Sequence, residues 1–210
     1  MDASAAEIRV LGSLIEKQRT TPDAYPLSLN SLRLACNQST NRDPVVEYDE
    51  EVVRTAIAHL SRRGWVRLAS GPGSRAVKYR HLLGEALGRP ADELAVLAVL
   101  MLRGPQTPGE LKSRTERLHP LASLGEIEDI LERLIGRELA ERLPRRPGQK
   151  EARYRQLLGG ESEDREPVFA PPPDIARDEE GDDRLAELEQ RVRTVEEKLA
   201  ELVDALEPPS

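Results

Sequence analysis

Two groups of cations about 75 positions apart carry the most evident chemistry of the chain. Arg62, Arg63, Arg67, Arg75, Lys78 and Arg80 form the first; Arg142, Arg145, Arg146, Lys150, Arg153 and Arg155 form the second. Cations on a projecting hairpin neutralise phosphate oxygens or enter a minor groove, which is the chemistry of nucleic-acid contact. The same side chains also serve simply to solvate exposed strands, and the sequence leaves both readings open. Catalysis is not indicated. His59, His81 and His119 are scattered and read as ordinary surface or half-buried residues. No glycine-rich phosphate loop opens a helix, and no ligands fall at metal spacing; Gly71-Pro72-Gly73 is a hairpin tip. Neither an enzyme, a cofactor nor a metal site is expected. Cys36 is the one cysteine, so an intramolecular disulfide is excluded, and it reads as a small buried residue.

The elements that present these cations occur twice. Leu60 to Gly84 reads LSRRGWVRLASGPGSRAVKYRHLLG and Leu134 to Gly159 reads LIGRELAERLPRRPGQKEARYRQLLG. Each begins at the end of an amphipathic helix, passes a short apolar strand and a Pro-Gly turn, and ends in a second strand closing on Tyr-Arg-x-Leu-Leu-Gly. The offset is 74 residues before the turn and 75 across it, so one residue separates the copies in length. A helix followed by a tight basic hairpin is the end of a winged helix, and two copies imply a tandem.

Ser4 and Glu7 form a capping-box pattern that opens a first helix to about Gln18, with Ile8, Leu11, Leu14 and Ile15 on one face. Ser28 caps a short second helix. The connection Asn37 to Tyr48 is far longer than a helix-turn-helix allows, so the first domain is a modified one. Within it Arg42 has two readings: it projects to DNA or a partner, or it braces the loop together with Asp43. A third helix runs from Asp49 to Arg63 and ends at Gly64. Pro90 is expected at the first position of the next helix, whose run Leu94 to Leu102 is apolar nearly all round and so buried on most sides. Capping boxes at Thr107–Glu110 and Ser123–Glu126 open two further helices.

The net charge of −7 is unevenly spread: residues 1–159 carry 25 Lys/Arg against 21 Asp/Glu, and residues 160–210 carry 6 against 17. The mildly basic body permits nucleic-acid binding. Residues 160–182, rich in Glu, Asp and Pro, read as a flexible linker. Leu185, Leu188, Val192, Val195, Leu199, Leu202 and Leu206 then alternate spacings of three and four, a heptad seam. In a parallel pair Arg184 meets Glu189 and Arg191 meets Glu196, so a parallel homo-oligomer, a dimer in the first instance, is expected; the alternative is a helix folded back on its own domain. The longest apolar run is too short to span a bilayer and no signal-peptide pattern opens the chain, so a cytoplasmic protein without membrane contact is expected.

These residues also carry a resemblance. Glu16-Lys17, the run Thr21 to Asn30, Ala35-Cys36-Asn37-Gln38, Asn41 to Val45, Leu97 and the run Leu100 to Leu111 resemble the YceH-like family of uncharacterised bacterial proteins. The likeness covers about residues 4–159; Ser39 stands where members tend to carry Lys. It implies two consecutive winged helices and, by architecture alone, DNA binding.

The expected fold is therefore mainly α with small β-hairpins (α+β): winged-helix domains at 1–86 and 87–159, the linker at 160–182 and a coiled-coil helix at 183–207. The candidate DNA contacts are Arg42, Arg54, Arg62, Arg63, Arg75, Lys78, Arg145, Arg146 and Lys150, mainly on the wings. Against them, the third helix opens with Asp49-Glu50-Glu51, and its counterpart exposes Glu126, Glu128, Asp129 and Glu132. Carboxylates repel phosphates, so the second domain is expected to pack on the first or bind a protein. Two functions are carried forward: a DNA-binding protein of regulatory kind, or a protein-interaction scaffold whose winged helices do not bind DNA. A small-molecule sensor has no site that the sequence names.

Overall fold

Helix α1 (Ala5–Thr20) is the element on which the rest is packed. The structure, a computed structural model, describes residues 2–69, 77–145 and 151–159. The expected linker and the heptad residues Leu185, Leu188, Val192, Val195, Leu199 and Leu202 lie outside the described residues, as do Arg75, Arg146 and Lys150.

After α1 come a 3-10 turn (Pro22–Ala24), β1 (Leu27–Ser28), α2 (Leu29–Cys36), α3 (Glu50–Arg62), β2 (Val66–Leu68) and β3 (Lys78–His81). A short α4 (Leu83–Leu87) leads to α5 (Ala91–Arg103), α6 (Pro108–Thr115), α7 (Leu124–Ile135), β4 (Ala140–Arg142) and β5 (Tyr154–Gln156). The chain is thus mainly helical with small antiparallel sheets. The first sheet has the order β1-β3-β2, and the second is the β4-β5 hairpin. Gln106 bridges Tyr154 on the free edge of β5, through N–H to O=C bonds of 3.0 and 2.8 Å, where β1 lies against β3 in the first copy. Each half therefore runs helix, edge strand or bridge, helix, helix, hairpin.

The caps follow the side chains with local corrections. Thr107 and Glu110 make the full reciprocal box, at 3.3 and 3.0 Å. Ser4 accepts from the Glu7 amide, but Glu7 does not reach back; its carboxylate is buried against His59, with Oε1 2.9 Å from Nδ1. Ser123 caps α7, while Glu126 accepts from Ala122 one residue further back. Pro90 is the N-cap of α5 rather than its first helical residue, since its extended ψ of 168° lies outside the helix. Gly64 closes α3 at φ 72°, a conformation that costs a glycine little.

Residues 1–162 form one compact unit with a continuous apolar core. The copies expected at 1–86 and 87–159 meet through α1 and α5. Gly12 permits the approach: a Cβ there would stand 3.0 Å from Leu102 Cγ and from Met101 Cβ. This is why α5 is buried from Leu94 to Leu102, and why α1 is buried well beyond its apolar stripe. Ahead of α1, Ala3 donates to Leu158 O at 3.1 Å and so joins the second hairpin.

The long connection between α2 and α3 is anchored from within. Arg42, 6% exposed, donates to Glu16 through Nη1 (3.2 Å) and Nη2 (2.6 Å), to Ala35 O through Nε (3.1 Å) and to Asn41 O through Nη1 (2.8 Å). Of the two readings of this residue, the observed side chain braces the loop, with Glu16 as its carboxylate partner, and the Asp43 amide adds a bond to Leu102 O at 2.8 Å. Arg9 donates to Pro44 O at 2.6 Å, and Asn37 exchanges hydrogen bonds of 2.8 and 3.0 Å with the backbone of Tyr48. Removing one member of a buried pair strands the other, which costs about 3–5 kcal/mol. Arg42→Ala is accordingly expected to lower unfolding free energy by that amount, read as a fall in the urea midpoint.

His81 is more buried than the surface or half-buried place expected of it: it is 4% exposed, with Nε2 2.7 Å from Gln18 Oε1 and its amide bonded to the Tyr25 hydroxyl at 2.8 Å. Burial lowers its pKa from 6.5 to about 4; Glu85 pulls the other way, and Arg80 and Arg19 add to the depression. The unfolded chain takes up this proton below pH 6.5 and the folded chain only near pH 4, so stability is full above 6.5 and falls between those values. A depression of this size is worth about 3 kcal/mol across that window. His81→Gln is expected to flatten the stability profile between pH 6.5 and 4.5, measured by urea unfolding at a series of pH values.

Candidate nucleic-acid interface

Strand pairing decides which cations share a face. Val66 stands opposite His81, Arg67 opposite Arg80, and Ser28 opposite Lys78. Paired residues project to the same side of a sheet, and alternate residues of one strand do so too. Val66 and His81 are buried on the core side. Arg67, Lys78, Arg80 and Ser28 therefore line the opposite, outer face. Arg80 is paired to Glu85 at 2.6 Å, whereas Arg67 and Lys78 have no ion-pair partner among the described residues.

The second hairpin gives a like-for-like comparison. At the offsets that relate the two copies, Arg67 corresponds to Glu141 and Arg80 to Arg155. Glu141 pairs across the strands with Arg155, and their side chains are hydrogen-bonded. The first copy thus sets two guanidiniums against each other where the second sets an ion pair. Like charges directly opposite on a sheet are destabilising; Glu85 compensates Arg80, and Arg67 is left without a counter-charge among the described residues.

The helices repeat this contrast. The exposed side of α3 is mixed: Glu50 and Glu51 in its first turn, then Arg54, Thr55, Ala58, Ser61 and Arg62. Its small residues allow close approach of another surface. Arg54 lies 3.6 Å from Glu50, both half or more exposed, a pairing worth little in water. Arg62 has no ion-pair partner among the described residues. Arg63 is used internally: it stands 5.5 Å over the Trp65 ring and donates to Asp2 O at 2.9 Å. On α7 the exposed side is acidic, with Glu128, Asp129 and Glu132. The one arginine among them, Arg133, is drawn to α5, at 2.8 Å from Glu93 and 2.7 Å from Asp92. Glu93 is 1% exposed and also meets Arg89 and Arg137, so it fixes α7 to α5.

Of the expected contacts, then, Arg54, Arg62 and Arg63 are exposed on the first copy, Lys78 is half-buried, and Arg145 is exposed beyond β4. Arg42 is buried beneath that surface and has no reach to a phosphate. Arg67 and Arg80 were named only as part of the cationic hairpin; the period-two alternation about Val66 was the signal that sets them apart. The Glu16–Arg42 pair was not foreseen. Its signal was the spacing of Arg9 and Glu16, seven residues apart and so on one face of α1.

Cys36 is buried as expected, and burial pushes its thiol up to about 11. Little thiolate exists at neutral pH in such a site. Cys36 is therefore expected to resist a thiol reagent in the native protein and to react fully in 6 M guanidinium. Rapid native labelling would contradict this placement. Among the described residues no group of three or more His, Cys, Asp or Glu could hold a metal ion, and no helix is long and apolar enough to cross a membrane.

The fold and this surface define a mainly helical α+β protein with two small antiparallel sheets, one of them cationic on its outer face. The chain belongs to the bacterial family described as "Protein of unknown function, DUF480", whose model matches residues 3–149. It is similar to a UPF0502 protein of Pelobacter propionicus, 49% identical over 200 residues, spanning 93% of this chain and 91% of that protein. A UPF0502 protein of Geotalea daltonii is 54% identical over 173 residues, covering 81% and 78%. One of Serratia proteamaculans is 42% identical over 213 residues, covering 98% and 94%.

Proposed function

We propose that this chain is a DNA-binding protein of regulatory kind, built from two winged helices, in which the first copy supplies the phosphate contacts. The observation that carries the reading is the outer face of the first sheet, where Arg67 lies opposite Arg80 beside Lys78; the second copy sets Glu141 against Arg155 at the first two positions and keeps a cation, Arg153, at the third. Cations kept together at a cost in self-repulsion are relieved by an anionic surface. The sheet order β1-β3-β2, with β1 between the first and second of three helices and the β2-β3 hairpin after the third, supports the winged-helix reading of the first copy, and the Gln106 bridge to Tyr154 supports it in the second. Arg54 and Arg62 on α3 add contacts beside small residues that let the helix approach a groove.

The acidic side of α7 favours a second role for the second copy, docking of a basic protein surface. The heptad residues Leu185 to Leu206 are proposed to pair two chains in parallel, so that modest single contacts add through avidity.

Fluorescence anisotropy of a labelled random duplex at several salt concentrations tests the proposal. Log affinity is expected to fall linearly with log salt, with a slope of about −0.9 per neutralised phosphate. Arg67→Glu/Lys78→Glu is expected to weaken binding at least about tenfold and to reduce the slope by about 2, while Arg142→Glu/Arg145→Glu, with the same charge change, has a much smaller effect. No binding by the intact chain at low salt, or equal losses in the two variants, would contradict it and leave the scaffold reading.

A further inference from the structure

A second cationic site lies where the two copies meet. A cleft of about 230 Å³ is bounded by the end of α1, the loop after α2, the end of α5 and the end of α6. Arg103, Arg114 and Arg117 line it together, with Ser113, Asn41 and Glu16. They come from segments far apart in the sequence, which is why no motif marked them.

The charges around this cleft do not balance. Glu16 is committed to Arg42 at 2.6 Å, and that partner holds its carboxyl below the usual range in spite of burial. Arg114 reaches Glu110 at 3.3 Å, but Glu110 also accepts the Thr107 amide in the capping box of α6. Arg103 donates to Asn41 Oδ1, a neutral group, and Arg117 has no ion-pair partner among the described residues. Burial, then the neighbouring Arg114 and Arg42, lower the pKa of Arg103, as expected where positive potential is left uncompensated. Guanidinium forks match the oxygens of phosphate and carboxylate groups, and a hydroxyl and an amide at the same wall add neutral hydrogen bonds. Val99, Leu102 and Leu118 give the cleft an apolar side.

We infer that this cleft binds a small phosphate-bearing molecule, held by Arg103, Arg114 and Arg117 between the two copies. Its walls belong to both, so occupancy stabilises their packing. The site is separate from the outer sheet face and stands whether or not DNA is bound there. The phosphate chemistry has two sources, a free small molecule and a nucleic-acid backbone; the small volume of the cleft, about 230 Å³, favours the free one.

The test is thermal unfolding of the full chain with inorganic phosphate or pyrophosphate against sodium chloride of equal ionic strength. A saturable rise in Tm of about 3–5 °C at tenfold excess over Kd is expected. Arg114→Gln/Arg117→Gln should abolish it, and Arg67→Gln/Lys78→Gln should leave it intact. Arg117→Gln alone, an exposed change, should weaken it at least about fivefold and serves if the double variant is not folded by circular dichroism. No saturable shift, or a shift unchanged in Arg117→Gln, overturns the inference. Loss of duplex binding in these variants without any phosphate response also overturns it, and assigns the cleft to the nucleic-acid surface.

Discussion

The buried pair of Glu16 and Arg42 is the interaction on which the arrangement rests. Taking two charges out of water costs several kcal/mol each unless every polar hydrogen finds an acceptor. Arg42 meets that condition: Glu16, Ala35 O, Asn41 O and Gln38 Oε1 surround it. With Arg42 fixed, the long loop after α2 lies against α1, and its neighbours reach α5. Asp43 donates to Leu102 O at 2.8 Å, and Asn41 receives Arg103. One ion pair thus holds a loop, joins the two copies and forms the wall of the cationic cleft.

The two halves are unequal. Each keeps three helices and a hairpin, yet their exposed charges differ. The first sets Arg67 beside Arg80 and Lys78 on its sheet; the second commits Arg133 and Arg137 to Glu93 and Arg155 to Glu141, while Arg142, Arg145 and Arg153 have no ion-pair partner among the described residues. A net charge of −7 for the chain conceals this, because electrostatic contact depends on which face carries the charge.

The helices and hairpins were legible because local physics sets them. Apolar spacing marked α1, α3 and α7, cap residues marked their starts, and a repeated Pro-Gly turn marked the hairpins. The apolar run of α5 correctly implied burial on most sides. What escaped was set by distant contacts. The edge strand Leu27–Ser28 is too short to show alternation, and α4 is too short to show a helical period. Glu7 forms half of a capping pattern, but burial against His59 decided its place. His81 looked like a strand-end residue until α1 and Tyr25 closed over it. Arg42 could not be assigned from its loop alone, since its partner is 26 residues away. The cationic cleft draws on four separate segments and has no linear signature.

Hydrogen exchange with and without a random duplex measures the inequality of the copies most directly. Protection is expected at Val66–Leu68 and Lys78–His81, with Ala140–Arg142 and Tyr154–Gln156 unchanged. Protection confined to the second hairpin, or equal in both, would contradict the assignment of nucleic-acid contact to the first copy.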